Sequence, residues 1–124
     1  MSEDKDLDAG LQAYKLDNHA EAICHLERSA ERGNAVAAYF LGQIYDHDTG
    51  FFNKEKGFKY FKASALGGIP EGMFFTGQAL LFAWGVERDA REGIKWLERC
   101  SELPDAQIRL AQAYMGNFGP EGLD

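Results

Sequence analysis

Four glutamines lie at the centres of four similar short segments, and their regular spacing restricts this chain to a small group of folds. The segments are Gly10-Leu-Gln12-Ala-Tyr14, Leu41-Gly-Gln43-Ile-Tyr45, Thr76-Gly-Gln78-Ala-Leu80 and Leu110-Ala-Gln112-Ala-Tyr114. Successive glutamines are 31, 35 and 34 residues apart. A period of this length is typical of stacked helix pairs, in which each pair buries its apolar face against the next. The spacing therefore predicts an all-α solenoid of antiparallel helix pairs that functions as a binding scaffold.

A second pattern follows each of the first three glutamine segments and predicts the partner helix. Small and large residues alternate at positions i, i+4 and i+7, which share one face of a helix. The three sets are Ala22, Leu26 and Ser29; Gly57, Phe61 and Ser64; and Gly93, Leu97 and Cys100. The small residues let a neighbouring helix approach closely. Each repeat is thus expected to contain a helix A with the glutamine and a helix B with this pattern.

Capping and helix-ending residues mark the helix boundaries. Asn18, Asn53 and Asp89 can cap the B helices, and two glycines and two prolines have the usual places of helix ends and starts: Gly33, Gly68, Pro70 and Pro104. These signals predict helices at about 5–16, 19–32, 35–46, 54–66, 70–83, 90–102 and 104–115. The repeat units are then about 4–33, 34–69, 70–103 and 104–124 of a single domain. The last unit has no helix B.

Three further segments resemble a known family. They are Leu41-Gly42-x-x-Tyr45, the loop Gly85-Val86-x-x-Asp89 and the helical segment Gly93-Ile-Lys-Trp96-Leu97. Together they resemble the Sel1-like repeat, a relative of the tetratricopeptide repeat, over nearly the whole chain. Any one segment would occur often by chance, but three in register at a common period would not.

The resemblance also implies which residues face a partner. In tetratricopeptide-like folds the A helices line the concave groove, and residues two places before and two places after the consensus leucine point into it. The first class is Tyr39, Phe74 and Ile108, and the second is Gln12, Gln43, Gln78 and Gln112. A row of amides offers donors and acceptors to a bound backbone, and aromatic side chains add apolar contacts. The alternative is that the glutamines only bridge adjacent A helices by hydrogen bonds.

The other aromatic residues divide into two predicted groups. Repeat-seam positions predict a core role for Tyr14, Tyr45, Phe61, Trp96 and Tyr114. Phe82 and Trp84 have no such seam position and are candidates for ligand contact. Acidic residues near the groove, including Asp46, Asp48 and Glu71, favour a basic partner.

Composition excludes several classes of function. The net charge of −7 opposes binding to nucleic acid and to anionic membranes. No apolar run approaches ~20 residues, and the first residues lack the features of a signal peptide. Two cysteines, Cys24 and Cys100, lie two repeats apart, so we expect free thiols, with Cys24 exposed and Cys100 buried. A cytosolic location is predicted.

Candidate chemical sites are few. Asp46-His47-Asp48 could hold a metal, but a calcium loop needs glycine and an acidic residue where this chain has Phe51 and Gly57. We therefore expect no metal and no cofactor. The sequence contains no glycine-rich phosphate loop or catalytic triad, so an enzyme is the least supported hypothesis.

The unpaired last helix supports an alternative to groove binding. Its apolar face would be partly bare in a monomer: Ile108, Leu110, Ala111 and Tyr114. Bare patches of this kind commonly mark an interface. The alternatives are therefore self-association through this face, or a chain that is a fragment of a longer repeat array.

Overall fold

The computed structural model describes residues 4–47 and 49–116, which form seven α-helices and no strand. Four are A helices: α1 (Lys5–Lys15), α3 (Ala35–Asp46), α5 (Pro70–Phe82) and α7 (Pro104–Tyr114). Three are B helices: α2 (His19–Glu31), α4 (Lys54–Leu66) and α6 (Ala90–Arg99). Helices adjacent in sequence pack against each other along the whole array. The predicted all-α solenoid and its helix order are confirmed, although α6 ends at Arg99 rather than at residue 102.

The predicted caps start the B helices. The side chains of Asn18, Asn53 and Asp89 accept hydrogen bonds from backbone amides three residues later, at 3.3, 3.1 and 3.1 Å. Because these amides have no partner inside the helix, a side-chain oxygen at this position fixes where the helix begins. Pro70 and Pro104 occupy the first turns of α5 and α7, as predicted.

The small residues of the seam allow the A and B helices to approach closely. A Cβ atom added to Gly77 would lie 2.8 Å from the carbonyl oxygen of Gly93, and one added to Gly93 would lie 2.8 Å from the carbonyl oxygen of Gly77. Leu97 is fully buried beside them. The α5–α6 contact therefore depends on glycine at both positions, as the repeat pattern predicts.

Two buried clusters form the core. One joins the first two repeats around Leu26, Leu41 and Tyr45, and the other joins the later repeats around Leu81, Leu97 and neighbouring side chains. Tyr45, Phe61 and Trp96 are buried as predicted, whereas Tyr14 is only partly buried. No helix in the described part of the chain is long and apolar enough to cross a membrane.

Two predictions about residues of the last helix, α7, are wrong. Tyr114 is 58% exposed and donates a hydrogen bond to Glu98, so its assignment to the core is wrong. Leu110 is only 8% exposed, so it does not belong to the bare face. Both differences have one cause, since no helix B covers the outer side of α7 in the described residues, while its inner side packs on the preceding repeat. Ile108 and Ala111 remain on the exposed side.

A carboxylate ties the first helix to the second repeat. Asp4 caps α1 through Leu7 and accepts hydrogen bonds from the side chains of Ser29 at 2.5 Å, Arg32 at 2.8 Å and Asn34 at 3.1 Å. The bonds from Ser29 above all, and also those from the Leu7 amide and from Arg32, lower the pKa of Asp4 from 3.8 to about 2. The start of the array is therefore held by an ionised side chain.

Both cysteines are free thiols, as predicted. Cys24 is exposed, and Arg28 donates to its sulfur at 3.2 Å. Cys100 is buried in the seam, and burial raises the pKa of its thiol to about 11. At neutral pH Cys100 is therefore a compact apolar group.

Candidate binding groove

The glutamine row does not form one continuous ladder of amides. Gln78 and Gln112 are joined by Arg109, whose Nε donates to Gln78 Oε1 at 2.8 Å and whose Nη1 donates to Gln112 Oε1 at 2.9 Å. Gln43 donates instead to the hydroxyl of Tyr39 in its own helix, at 2.7 Å. Gln12 is exposed on α1. A bridge between A helices thus exists at α5 and α7, but an arginine forms it.

The residues two places before the consensus leucine have different surroundings. Tyr39 is half-buried, with its ring 5.9 Å from that of Phe61, and burial raises the pKa of its hydroxyl. Phe74 is also half-buried and packs edge-on against Phe75 at 5.2 Å. Ile108 is 55% exposed. The structure brings Tyr39 and Phe74 to one aromatic cluster and leaves Ile108 outside it.

An apolar pocket of about 300 Å³ opens beside this cluster. The stacked rings of Phe61 and Phe75, 4.7 Å apart, form part of its wall. Residues of α3, α4, α5 and α7, together with one loop residue, line it: Asp46, Phe58, Phe61, Phe75, Gln78, Ala79, Phe82, Trp84 and Arg109. Its volume is near the lower end of the range for ligand pockets. It can accept one large apolar side chain.

Two exposed aromatic residues stand at the pocket. Phe82 is 47% exposed and Trp84 is 44% exposed. The indole nitrogen of Trp84 donates to Asp46 Oδ1 at 2.6 Å, and the ammonium of Lys54 lies 5.2 Å from the indole ring. Trp84 is therefore held in place by α3 and α4, although much of its side chain contacts solvent.

The loop after α5 sets the position of Trp84. Ala83 caps the C-terminus of α5 in a left-handed conformation with φ of 57°, and Gly85 has φ of 77°. A Cβ atom on Gly85 would lie 2.1 Å from the carbonyl oxygen of Lys54. The loop therefore packs directly against the start of α4, and only glycine fits at this contact.

The acidic residues near the groove have separate positions. Asp46 lines the pocket, and its Oδ1 accepts a hydrogen bond from Trp84. Glu71 is exposed on α5. His47 contacts the backbone carbonyl of Gln43 at 2.8 Å, and Asp48 lies outside the described residues. Within residues 4–47 and 49–116, no group of three His, Cys, Asp or Glu side chains could hold a metal ion.

Sequence reasoning missed Phe58, Phe75 and Arg109 as pocket residues. One signal was available, since Phe40, Phe75 and Arg109 each stand three residues before a glutamine of the row. The position that holds phenylalanine in the second and third A helices therefore holds an arginine in the fourth. That break in the repeat marks Arg109 as unusual.

The repeat can be identified by comparison of the chain with known protein families. The model of the Sel1 repeat matches residues 9–34, 35–69, 70–103 and 104–124. The chain belongs to the Sel1 repeat family. This confirms the resemblance found in the sequence. Sel1 repeat proteins generally mediate protein–protein interactions and are typically non-catalytic.

Two solved structures show the same Sel1 architecture. A Sel1 repeat protein from Oxalobacter formigenes superposes with a TM-score of 0.76 and 23% identity over 86% of each chain. A protective antigen of uropathogenic Escherichia coli with an SLR fold gives a TM-score of 0.70 and 29% identity over 85% of this chain. The present chain covers 22% of that antigen. Both comparisons support the all-α solenoid.

Proposed function

We propose that this Sel1 repeat protein is a non-enzymatic scaffold that holds an apolar segment of a partner protein in the pocket of its groove. An adaptor, a chaperone or an inhibitor would act in this way. The main observation is the pocket of about 300 Å³ with Phe82 and Trp84 exposed beside it. Tryptophan, tyrosine and arginine are enriched among the residues that dominate binding energy, and they cluster in well-packed pockets near the centre of an interface.

The pocket supplies affinity through apolar burial. An inserted leucine or phenylalanine side chain would contribute roughly 1.5 to 3 kcal/mol by leaving water. Phe61 and Phe75 already stack on each other and so form a preorganised wall, which lowers the entropy cost of binding. The exposed faces of Phe82 and Trp84 would cover the remainder of the bound segment.

Charge favours a partner with basic residues outside the pocket. The chain has a net charge of −7, and this field would accelerate the approach of a positively charged protein. The cytosolic location of the protein stays a prediction. Affinity capture identifies the partner.

Affinity capture with matched variants tests the proposal. The intact chain, the double variant Phe82→Ala/Trp84→Ala and the control Leu16→Ala/Leu66→Ala are immobilised and exposed to native lysate. Leu16 and Leu66 are 70% and 68% exposed and do not line the pocket, so the control removes similar apolar surface elsewhere. Circular dichroism establishes that all three proteins are folded.

The pattern of retention decides the result. A partner captured by the intact chain and the control but lost with Phe82→Ala/Trp84→Ala supports the groove. Equal capture by all three proteins contradicts it and directs attention to another face.

The exposed side of α7 supports a second candidate, self-association. Ile108 and Tyr114 on α7 are 55% and 58% exposed, and Met115 directly after the helix is 72% exposed. Exposed apolar groups that lie together commonly contact another protein. A longer repeat array would cover the same face. Analytical ultracentrifugation of the intact chain and of Ile108→Ser/Tyr114→Ser separates these cases. A concentration-dependent dimer that the variant loses supports self-association, whereas a monomer at all concentrations opposes it.

A further inference from the structure

Arg109 is a half-buried cation in the wall of the apolar pocket. Two neutral amides and an aromatic ring hold it, because Gln78 and Gln112 accept its hydrogen bonds and its guanidinium carbon lies 5.6 Å from the centre of the Phe82 ring. The arginine is therefore fixed in position before any partner binds.

The charge of Arg109 is not neutralised within the described structure. Among residues 4–47 and 49–116, no carboxylate oxygen lies within 4.0 Å of its guanidinium, although the chain contains 20 acidic residues. The two hydrogen bonds of its guanidinium use Nε and Nη1, and Nη2 has no hydrogen-bond partner among the same residues. A planar guanidinium with free donors is suited to bind a carboxylate.

The position of Arg109 limits where such a carboxylate can come from. Arg109 lines the same pocket that accepts an apolar side chain, so the partner must place both groups within a few ångströms of each other. The last residue of a protein has a side chain and a free α-carboxylate on one Cα atom. Asp46 in the same wall and the net charge of −7 oppose a segment with several acidic side chains, whereas a chain end adds one negative charge.

We propose that the pocket binds the C-terminal residue of a partner protein, with its large apolar side chain among the phenylalanines and its α-carboxylate on Arg109. This inference rests on the proposed groove function. Gln78 and Gln112 are positioning residues in this arrangement, since they orient the guanidinium. The glutamine row thus acts through an arginine at this end of the groove.

Synthetic peptides test the inference directly. The probes are fluorescein-labelled hexapeptides with lysine at the second and third positions and leucine, isoleucine, phenylalanine or tryptophan at the end. Each is prepared as a free acid and as a C-terminal amide, and binding to the full chain is measured by fluorescence anisotropy. The amides cannot form charge-assisted hydrogen bonds with Arg109, so we expect them to bind at least about tenfold more weakly than the free acids.

Matched variants assign the effect to Arg109. Arg109→Gln should remove the difference between free acid and amide, and Lys95→Gln, which makes the same change of charge at an exposed site on α6, should preserve it. Gln78→Ala should reduce the difference, because the guanidinium loses one of its supports. The comparison of free acid with amide on the unmodified chain needs no variant to fold.

Four outcomes would overturn the inference. The first three are no binding by any free acid, equal binding by acids and amides, and a preference for the acids that Arg109→Gln leaves intact. The fourth is Arg109-dependent binding of amidated peptides with an internal glutamate that is as tight as the binding of the free acids. The inference and the groove function fail separately, since a captured partner that depends on Phe82 and Trp84 but not on Arg109 preserves the groove alone.

Discussion

Replacement of Gly85 by alanine should destabilise the protein more than replacement of Gly68, although both glycines have left-handed backbone conformations. Their φ angles are 77° and 93°. A Cβ atom at Gly68 meets no atom within 4 Å, whereas at Gly85 it would lie 2.1 Å from the carbonyl oxygen of Lys54. Gly68→Ala therefore adds only backbone strain, and Gly85→Ala adds a backbone collision.

The two costs can be estimated separately. The left-handed conformation costs a non-glycine residue about 1 to 2 kcal/mol. Forced overpacking typically costs about 1 to 3 kcal/mol more. We therefore expect a loss of about 1 to 2 kcal/mol for Gly68→Ala and about 2 to 5 kcal/mol for Gly85→Ala.

Urea unfolding followed by far-ultraviolet circular dichroism measures both losses on the same scale. Because Gly85 adjoins Trp84, Gly85→Ala should also change tryptophan fluorescence in the folded state, and Gly68→Ala should not. Equal losses for the two variants would refute the reasoning, since the contact with Lys54 would then have no energetic consequence.

Three further predictions concern stability and reactivity. The pKa of Asp4 is lowered, so its stabilising contribution is complete above its ordinary pKa of 3.8 and is lost as the pH falls towards about 2. The difference in unfolding free energy between the unmodified chain and Asp4→Asn should shrink over that range, and a difference that does not change with pH would contradict this. At neutral pH a thiol reagent should modify Cys24 alone, and Cys100 should react only after denaturation, because burial raises its pKa to about 11. Leu110→Ala should lower the free energy of unfolding by about 2 to 5 kcal/mol in urea, as for other buried leucines, and Ile108→Ala should change it by no more than about 0.5 kcal/mol. Equal losses would contradict the observed direction of α7.

Helix order and helix starts could be predicted because the signals are local. Asn53 and Asp89 cap amides three residues away, and Pro70 starts α5 with a ring that already has a helical φ angle. The repeat period gave the number of helices for the same reason, since each unit must bury the same face against its neighbours. These features depend on residues within one turn or one repeat.

The surroundings of the groove residues could be predicted less well. The pattern identified Gln78 and Gln112 but not Arg109 between them, because the period describes equivalent positions and not the side chain that reaches across from the next helix. The seam position of Tyr114 predicts a core role. Its exposure depends on what covers α7, which a repeat pattern does not contain.

The solenoid, its caps and its close seams follow from the amino-acid sequence alone, because helical periodicity and capping hydrogen bonds act within a few residues. The pocket, in contrast, arises only when the helices pack. Asp46 and Arg109 belong to different repeats, yet both line it together with the rings of Phe61 and Phe75. Their meeting depends on the angles and distances between packed helices, which result from the whole set of side-chain contacts.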